Sequence, residues 1–163
     1  MPDVSMTIPS MLDATVRSFP QATAFQFFRD QEWRQMSYAA FQKDVQRIAS
    51  YLSGRGFSRG ERVGLILDNR PEWGLLYFGI VSAGLVCVPL DARLKGREIA
   101  KYVSDASARC VFCSREIFRN ILPDNLTEDV EFFIVDDKEM EPGQSLTGLS
   151  QILSGESPFL PPR

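Results

Sequence analysis

Arg62-Val63-Gly64-Leu65-Ile66-Leu67 runs directly into Asp68-Asn69-Arg70-Pro71-Glu72-Trp73, and together they set the fold class. The first segment is apolar without alternation, as a strand buried on both faces requires. The second places Pro and Glu where the first turn of a helix favours them. The same pattern then repeats, predicting helix 71–83, strand 85–89, helix 95–106, strand 110–113, helix 115–121 and strand 132–136. Strands alternating with helices of this length pair in parallel through right-handed crossovers. The prediction is an α/β fold with a doubly wound, mostly parallel sheet.

Upstream of this core the patterning differs. Ser10-Met11-Leu12-Asp13 resembles a capping box, with Leu12, Val16 and Phe19 as a short apolar stripe that Pro20 ends. Residues 24–28 and 33–36 read as two strands joined through Arg29–Glu32, a hairpin with weak turn chemistry. Ser37 is placed to cap a helix whose stripe is Tyr38, Phe41, Val45, Ile48 and Leu52, and Gly54 and Gly56 end it. An N-terminal hairpin and helices are therefore expected ahead of the sheet. Beyond Asp136 the chain turns polar, apart from a patch at Leu146, Leu149, Ile152 and Leu153, and it finishes on Pro161-Pro162-Arg163. The expected division is an α/β unit over 1–136 and an acidic, Pro-ended linker over 137–163.

Composition narrows the chemistry. A chain of 163 residues suits one domain of ordinary apolar content, 44%. It holds no histidine, which removes His-based triads, His zinc sites and imidazole acid–base catalysis from this segment. Residues 1–122 carry 16 Lys and Arg against 12 Asp and Glu, whereas residues 123–163 carry 2 against 9. The cations are spread singly, so no nucleic-acid surface is expected. Cys87, Cys110 and Cys113 are an odd set, and Met1-Pro2-Asp3 opens without a basic or apolar leader, so a reducing, cytoplasmic setting is expected. Asn125-Leu126-Thr127 matches a glycosylation sequon, which has no meaning without secretion. In Cys110-Val111-Phe112-Cys113 a strand would point the two thiols to opposite faces, against a redox pair. Residues 73–90 carry no charge, but Gly74, Gly79, Gly84 and Pro89 favour buried helix, turn and strand over a membrane span.

No phosphate-binding loop of the Walker type occurs, and Gly54-Arg55-Gly56-Phe57-Ser58-Arg59-Gly60 follows a helix and precedes a strand, the reverse of a dinucleotide fingerprint. Ligands of open α/β sheets bind at the carboxyl ends of strands. That singles out Asp68, Asn69 and Trp73 after the first parallel strand and Asp91, in Asp91-Ala92-Arg93, after the second, as candidate substrate-binding residues. Helix-start chemistry alone also accounts for Pro71 and Glu72. Asp136-Asp137 could hold a cation, but without a Gly-rich loop the pair reads as solvent-facing. Neither a metal site nor a reactive nucleophile is read here.

Seven segments in register resemble the start of the AMP-forming acyl-CoA synthetase and ligase superfamily. They are Ala22-Thr23-Ala24-Phe25, Trp33 to Tyr38, Gly60-Glu61-Arg62-Val63-Gly64-Leu65, Asn69-Arg70-Pro71-Glu72-Trp73, Gly79 to Asp91, Glu98-Ile99 with Tyr102, and Asp105 to Phe112. The resemblance covers about residues 8–136, and the Asn-Arg-Pro-Glu-Trp string is similar to the fatty-acyl branch. It implies a two-step reaction, in which a carboxylate and ATP give an acyl-adenylate and a thiol such as CoA then displaces AMP. ATP, Mg2+ and CoA are thereby implied for the whole enzyme, with none expected to bind this chain tightly. The family's phosphate loop and lysine motifs come after the matched part, so no catalytic residue carries over. Two readings follow: the N-terminal segment of such a ligase, inactive alone, or a free-standing α/β binding or regulatory module without catalysis. The abrupt Pro-rich end favours the first. The expected partners are the remainder of the enzyme and, through an exposed sheet edge, a second copy, with membrane contact at most peripheral.

Overall fold

A computed structural model describes residues 6–121, 130–136 and 147–155. Helix α1 (Ile8–Ser18) is followed by the antiparallel hairpin β1 (Thr23–Arg29) and β2 (Glu32–Ser37), then by α2 (Tyr38–Gly54). The alternating part runs β3 (Arg62–Ile66), α3 (Pro71–Ser82), β4 (Val86–Leu90), α4 (Gly96–Asp105), β5 (Cys110–Cys113), α5 (Arg115–Ile121) and β6 (Glu131–Ile134). A two-residue strand β7 (Thr147–Gly148) and α6 (Leu149–Ser154) complete it.

Five parallel strands form one sheet in the order β4-β3-β5-β6-β7. The chain first steps from β3 to β4, then returns across β3 to β5. With right-handed crossovers this reversal sends α3 to one face and α4 and α5 to the other. The two cores show it. Val63, Leu65, Phe112 and Phe133 pack with Leu76 and Ile80 of α3 and with the α2 stripe Phe41, Val45, Ile48 and Leu52. Ile66, Val111, Phe132 and Ile134 pack with Ile99 and Val103 of α4 and Ile117 of α5. The expected doubly wound sheet is what the molecule has. Among the described residues no helix is long and apolar enough to cross a membrane.

Glycines set the closeness of the helix layer. A Cβ on Gly79 would lie 2.4 Å from Ile48 Cγ2, so α2 and α3 approach only because α3 lacks a side chain there. A Cβ on Gly74 would lie 2.7 Å from the Phe25 ring, which seats the hairpin on α3.

Three local features differ from the sequence reading. The first helix starts one turn earlier: Thr7 is the cap, its Oγ accepting from Ser10 N at 3.2 Å while Ser10 Oγ accepts from Thr7 N at 2.9 Å. Pro9 fits within this first turn because its missing N–H has no partner there. The hairpin turn is only Asp30-Gln31, both left-handed at φ 53° and 63°, the geometry a two-residue turn needs to match strand twist. The third concerns the expected linker over 137–163. Gly148 pairs with Ile134, and Leu149 and Ile152 are buried in the first core, so 147–155 belongs to the α/β unit. Here the apolar spacing of Leu149, Ile152 and Leu153 outweighs the polar composition. Residues 137–146 and 156–163 lie outside the described residues, as does the sequon at 125–127. Ser37 caps α2 as expected, accepting from Ala40 N at 3.2 Å.

Candidate functional site

Strand order reverses between β3 and β5, and the crevice beyond their carboxyl ends is where open α/β sheets hold ligands. Ile66 is level with Cys113 on β5 and with Leu90 on β4. The segments that follow therefore converge on one edge: Leu67–Arg70 from β3, Asp91 from β4, Ser114 from β5 and Val135-Asp136 from β6. Val135 N donates to Cys113 O at 3.0 Å, which fixes the β6 end against β5.

Arg70 is the hub of this edge. Its Nε donates to Glu72 Oε2 at 3.0 Å and its Nη1 to Asp136 Oδ1 at 2.5 Å. Arg29, the last residue of β1, donates from Nη2 to Glu72 Oε1 at 2.6 Å. One network thus ties the hairpin, the start of α3 and the end of β6. Burial works against ionisation of Glu72, but hydrogen bonds from Arg70 and Arg29 outweigh it and hold the carboxyl below its ordinary 4.5. Burial likewise opposes the Arg70 cation, and hydrogen bonds to Glu72 and Asp136 reverse that effect and raise its pKa. These groups line an open cavity of about 520 Å³, together with Asp44 and the apolar Met36, Leu75, Leu149 and Leu153.

The residues singled out from sequence lie around this edge in different circumstances. Asp68 and Asn69 are exposed in the turn between β3 and α3. Trp73 is half-buried one turn into α3, stacked on Tyr77 with ring centroids 5.3 Å apart and planes 7° apart. Asp91 is engaged by Arg93, whose Nε and Nη2 reach its two oxygens at 3.0 and 2.7 Å. Hydrogen bonds from the Arg93 side chain, and then from its backbone, hold the Asp91 carboxyl at about 2. Asp68 and Asn69 share the turn that leads into the helix carrying Trp73, while Asp91 stands at the neighbouring strand. Asp136, expected to face solvent, is instead paired with Arg70. Arg29, Arg70 and Glu72 went unrecognised as a group. The only available signal was that Arg29 shares a strand face with Phe25 and Phe27, the face the hairpin turns inward.

Cys110 lies in the first core and Cys113 in the second, the opposite-face arrangement expected of a strand. Burial pushes the Cys110 thiol up, and pushes Cys113 and Cys87 up to about 12. Among the described residues no group of three or more Cys, Asp or Glu side chains is arranged to hold a metal ion.

Residues 12–158 match the family model described as AMP-binding enzyme. Crotonobetaine/carnitine–CoA ligases of Salmonella paratyphi B and Salmonella typhimurium are 35% identical over 97 residues, 58% of this chain and 19% of theirs. Among solved structures, the anthranilate CoA ligase AuaEII in complex with anthranoyl-AMP aligns with a TM-score of 0.74 at 23% identity, covering 89% of this chain and 27% of that one. A putative long-chain-fatty-acid CoA ligase from Rhodopseudomonas palustris aligns with a TM-score of 0.76 at 23% identity, covering 97% and 38%. The chain spans about a fifth of the length of the curated relatives it matches, 19%. At these identities the structural likeness speaks to the fold.

Proposed function

The chain belongs to the AMP-binding enzyme family, and from that premise we propose that it serves as the N-terminal part of an ATP-dependent, AMP-forming carboxylate–CoA ligase acting on fatty acids. The observation that carries this reading is the family match over residues 12–158, nearly the whole chain. The family implies ATP, Mg2+ and CoA for the complete enzyme, which would activate the carboxylate as an adenylate and then pass the acyl group to the thiol. The described residues supply no cluster suited to a metal ion. No step is therefore assigned to a metal within this chain.

On this reading the chain's own work is positional. The Arg29–Glu72–Arg70–Asp136 network fixes the carboxyl edge of β3 and β6. Asp68 and Asn69, exposed at that edge, are the residues we expect to face substrate. Trp73 and Asp91 would shape the same edge through their contacts with Tyr77 and Arg93. The fatty-acyl assignment is supported by the Asn69-Arg70-Pro71-Glu72-Trp73 string, and the three free thiols are in keeping with a cytoplasmic setting. Self-association through the five-stranded sheet would use β4 or the two-residue β7, its two outer strands among the described residues. Pro89 in β4 lacks an N–H, which limits pairing there.

ATP–pyrophosphate exchange tests the proposal. The 163-residue chain should show none with any carboxylic acid, whereas protein from the complete reading frame should show exchange that favours fatty acids over crotonobetaine and anthranilate. Exchange by the 163-residue chain alone would overturn the positional role. Preference for crotonobetaine or anthranilate would overturn the fatty-acid assignment while leaving the ligase reading intact. Light scattering on the chain tests the free edges, and a monomer at high concentration would remove self-association.

A further inference from the structure

Arg115 opens α5 directly after the buried Ser114, at the carboxyl end of β5 and beside the point where strand order reverses. Its Nε and Nη2 are buried, and among the described residues neither finds a hydrogen-bond partner. These two atoms share one edge of the guanidinium, the side-on fork that matches two oxygens of a carboxylate or phosphate. Arg93 shows the same edge in use, with Nε and Nη2 on the two oxygens of Asp91.

Other arginines at the strand ends are satisfied. Arg62 donates to the Ala106 and Ser107 carbonyls, Arg109 to Glu61, and Arg70 to Glu72 and Asp136. The acid next to Arg115 in sequence, Glu116, is exposed and one position along the helix, where side chains diverge. A buried guanidinium edge without an acceptor has lost its water and gained nothing, which destabilises the fold. A group that weakens the fold in this way, at the edge where ligands bind, calls for an acceptor from outside.

We propose that Arg115 is an oxyanion receptor, its side-on fork taking the phosphate or carboxylate of a ligand bound at the carboxyl end of β5. This goes beyond the ligase reading and does not depend on it. Neither atom is open to water although Arg115 as a whole is half-buried, so the anion reaches the fork when the side chain turns outward.

The test follows thermal unfolding of the protein while inorganic phosphate or acetate is titrated at constant ionic strength, for the parent, Arg115→Met and Arg115→Lys. The parent should be stabilised saturably by one of the two anions, and which one names the ligand group. Arg115→Met should be more stable than the parent without anion, because an apolar chain of similar length replaces the unpaired fork, and it should not respond to the anion. Arg115→Lys keeps the charge but not the fork, and should respond with affinity weaker by about tenfold or more. Were Arg115→Met not to fold, the Lys variant would decide alone. The proposal is overturned by no saturable response in the parent, or by equal responses in parent and variants.

Discussion

Gly79→Ala puts the packing of α2 against α3 to the most direct test. The added Cβ would sit 2.4 Å from Ile48 Cγ2 and 2.7 Å from Ile48 Cβ, with the Val45 carbonyl oxygen of the same helix at 3.5 Å. Ile48 is fully buried and β-branched, so its χ1 is nearly fixed in a helix, and its Cβ moves only with the backbone. The two helices must therefore separate. In an exposed helix the exchange of Gly for Ala would stabilise by about 1 kcal/mol. Overpacking costs about 1–3 kcal/mol and more where backbone has to shift. With two contacts below 3.0 Å the steric cost wins, and we expect a net loss of about 2 kcal/mol. That corresponds to a fall in Tm of about 4–8 °C for a chain of this size. Urea unfolding followed by circular dichroism measures it, read as a lower midpoint at unchanged slope. A cycle with Ile48→Ala isolates the cause. That variant alone should cost about 2–5 kcal/mol, and in its background Gly79→Ala should cost at least about 1 kcal/mol less. If Gly79→Ala is neutral, or costs the same in the Ile48→Ala background as in the parent, the close-approach argument is wrong.

Two further outcomes follow from the charged edge and the thiols. Glu72 is held below its ordinary 4.5, so it binds fewer protons folded than unfolded, and the stability it contributes is present above 4.5 and lost as pH falls through the folded value. Glu72→Gln should lower stability at neutral pH by about 1–3 kcal/mol and flatten the acid limb of a stability–pH profile; an unchanged limb contradicts the assignment. Cys113 and Cys87 are pushed up to about 12, and burial pushes Cys110 up as well. Iodoacetamide at about pH 8 should spare all three in the native protein and label all three after unfolding, and rapid native labelling of Cys110 or Cys113 would count against their burial.

The sheet was legible because short apolar runs without alternation, bounded by turn residues, recur between helical segments. Val63 to Leu67, Val111-Phe112 and Phe132 to Val135 are apolar without alternation, and each proves to be strand or its immediate continuation. The α2 stripe was legible from its helical spacing. The site was less so. Arg29 and Glu72 lie 43 residues apart, and Arg70 and Asp136 lie 66 apart. Neither pair has a periodicity that betrays it, since long-range pairing of charged side chains depends on the finished topology. Helix α6 was missed because four apolar positions in a polar segment are too few to read until a sheet edge is there to receive them.

The hairpin β1–β2 stands outside the five-stranded sheet, with its Phe28 and Trp33 outward and exposed. Its attachments differ in kind: the Phe25 ring seated over Gly74 and against Phe41, and the Arg29–Glu72 ion pair at the far end of β1. Acid that protonates Glu72 removes the second and leaves the first untouched, whereas salt screens a partly buried pair only weakly. Lowering the pH should therefore make this flap swing about its aromatic seat instead of detaching. Trp33, riding on the flap, and Trp73, fixed in the helix it leans on, would report that motion from its two sides.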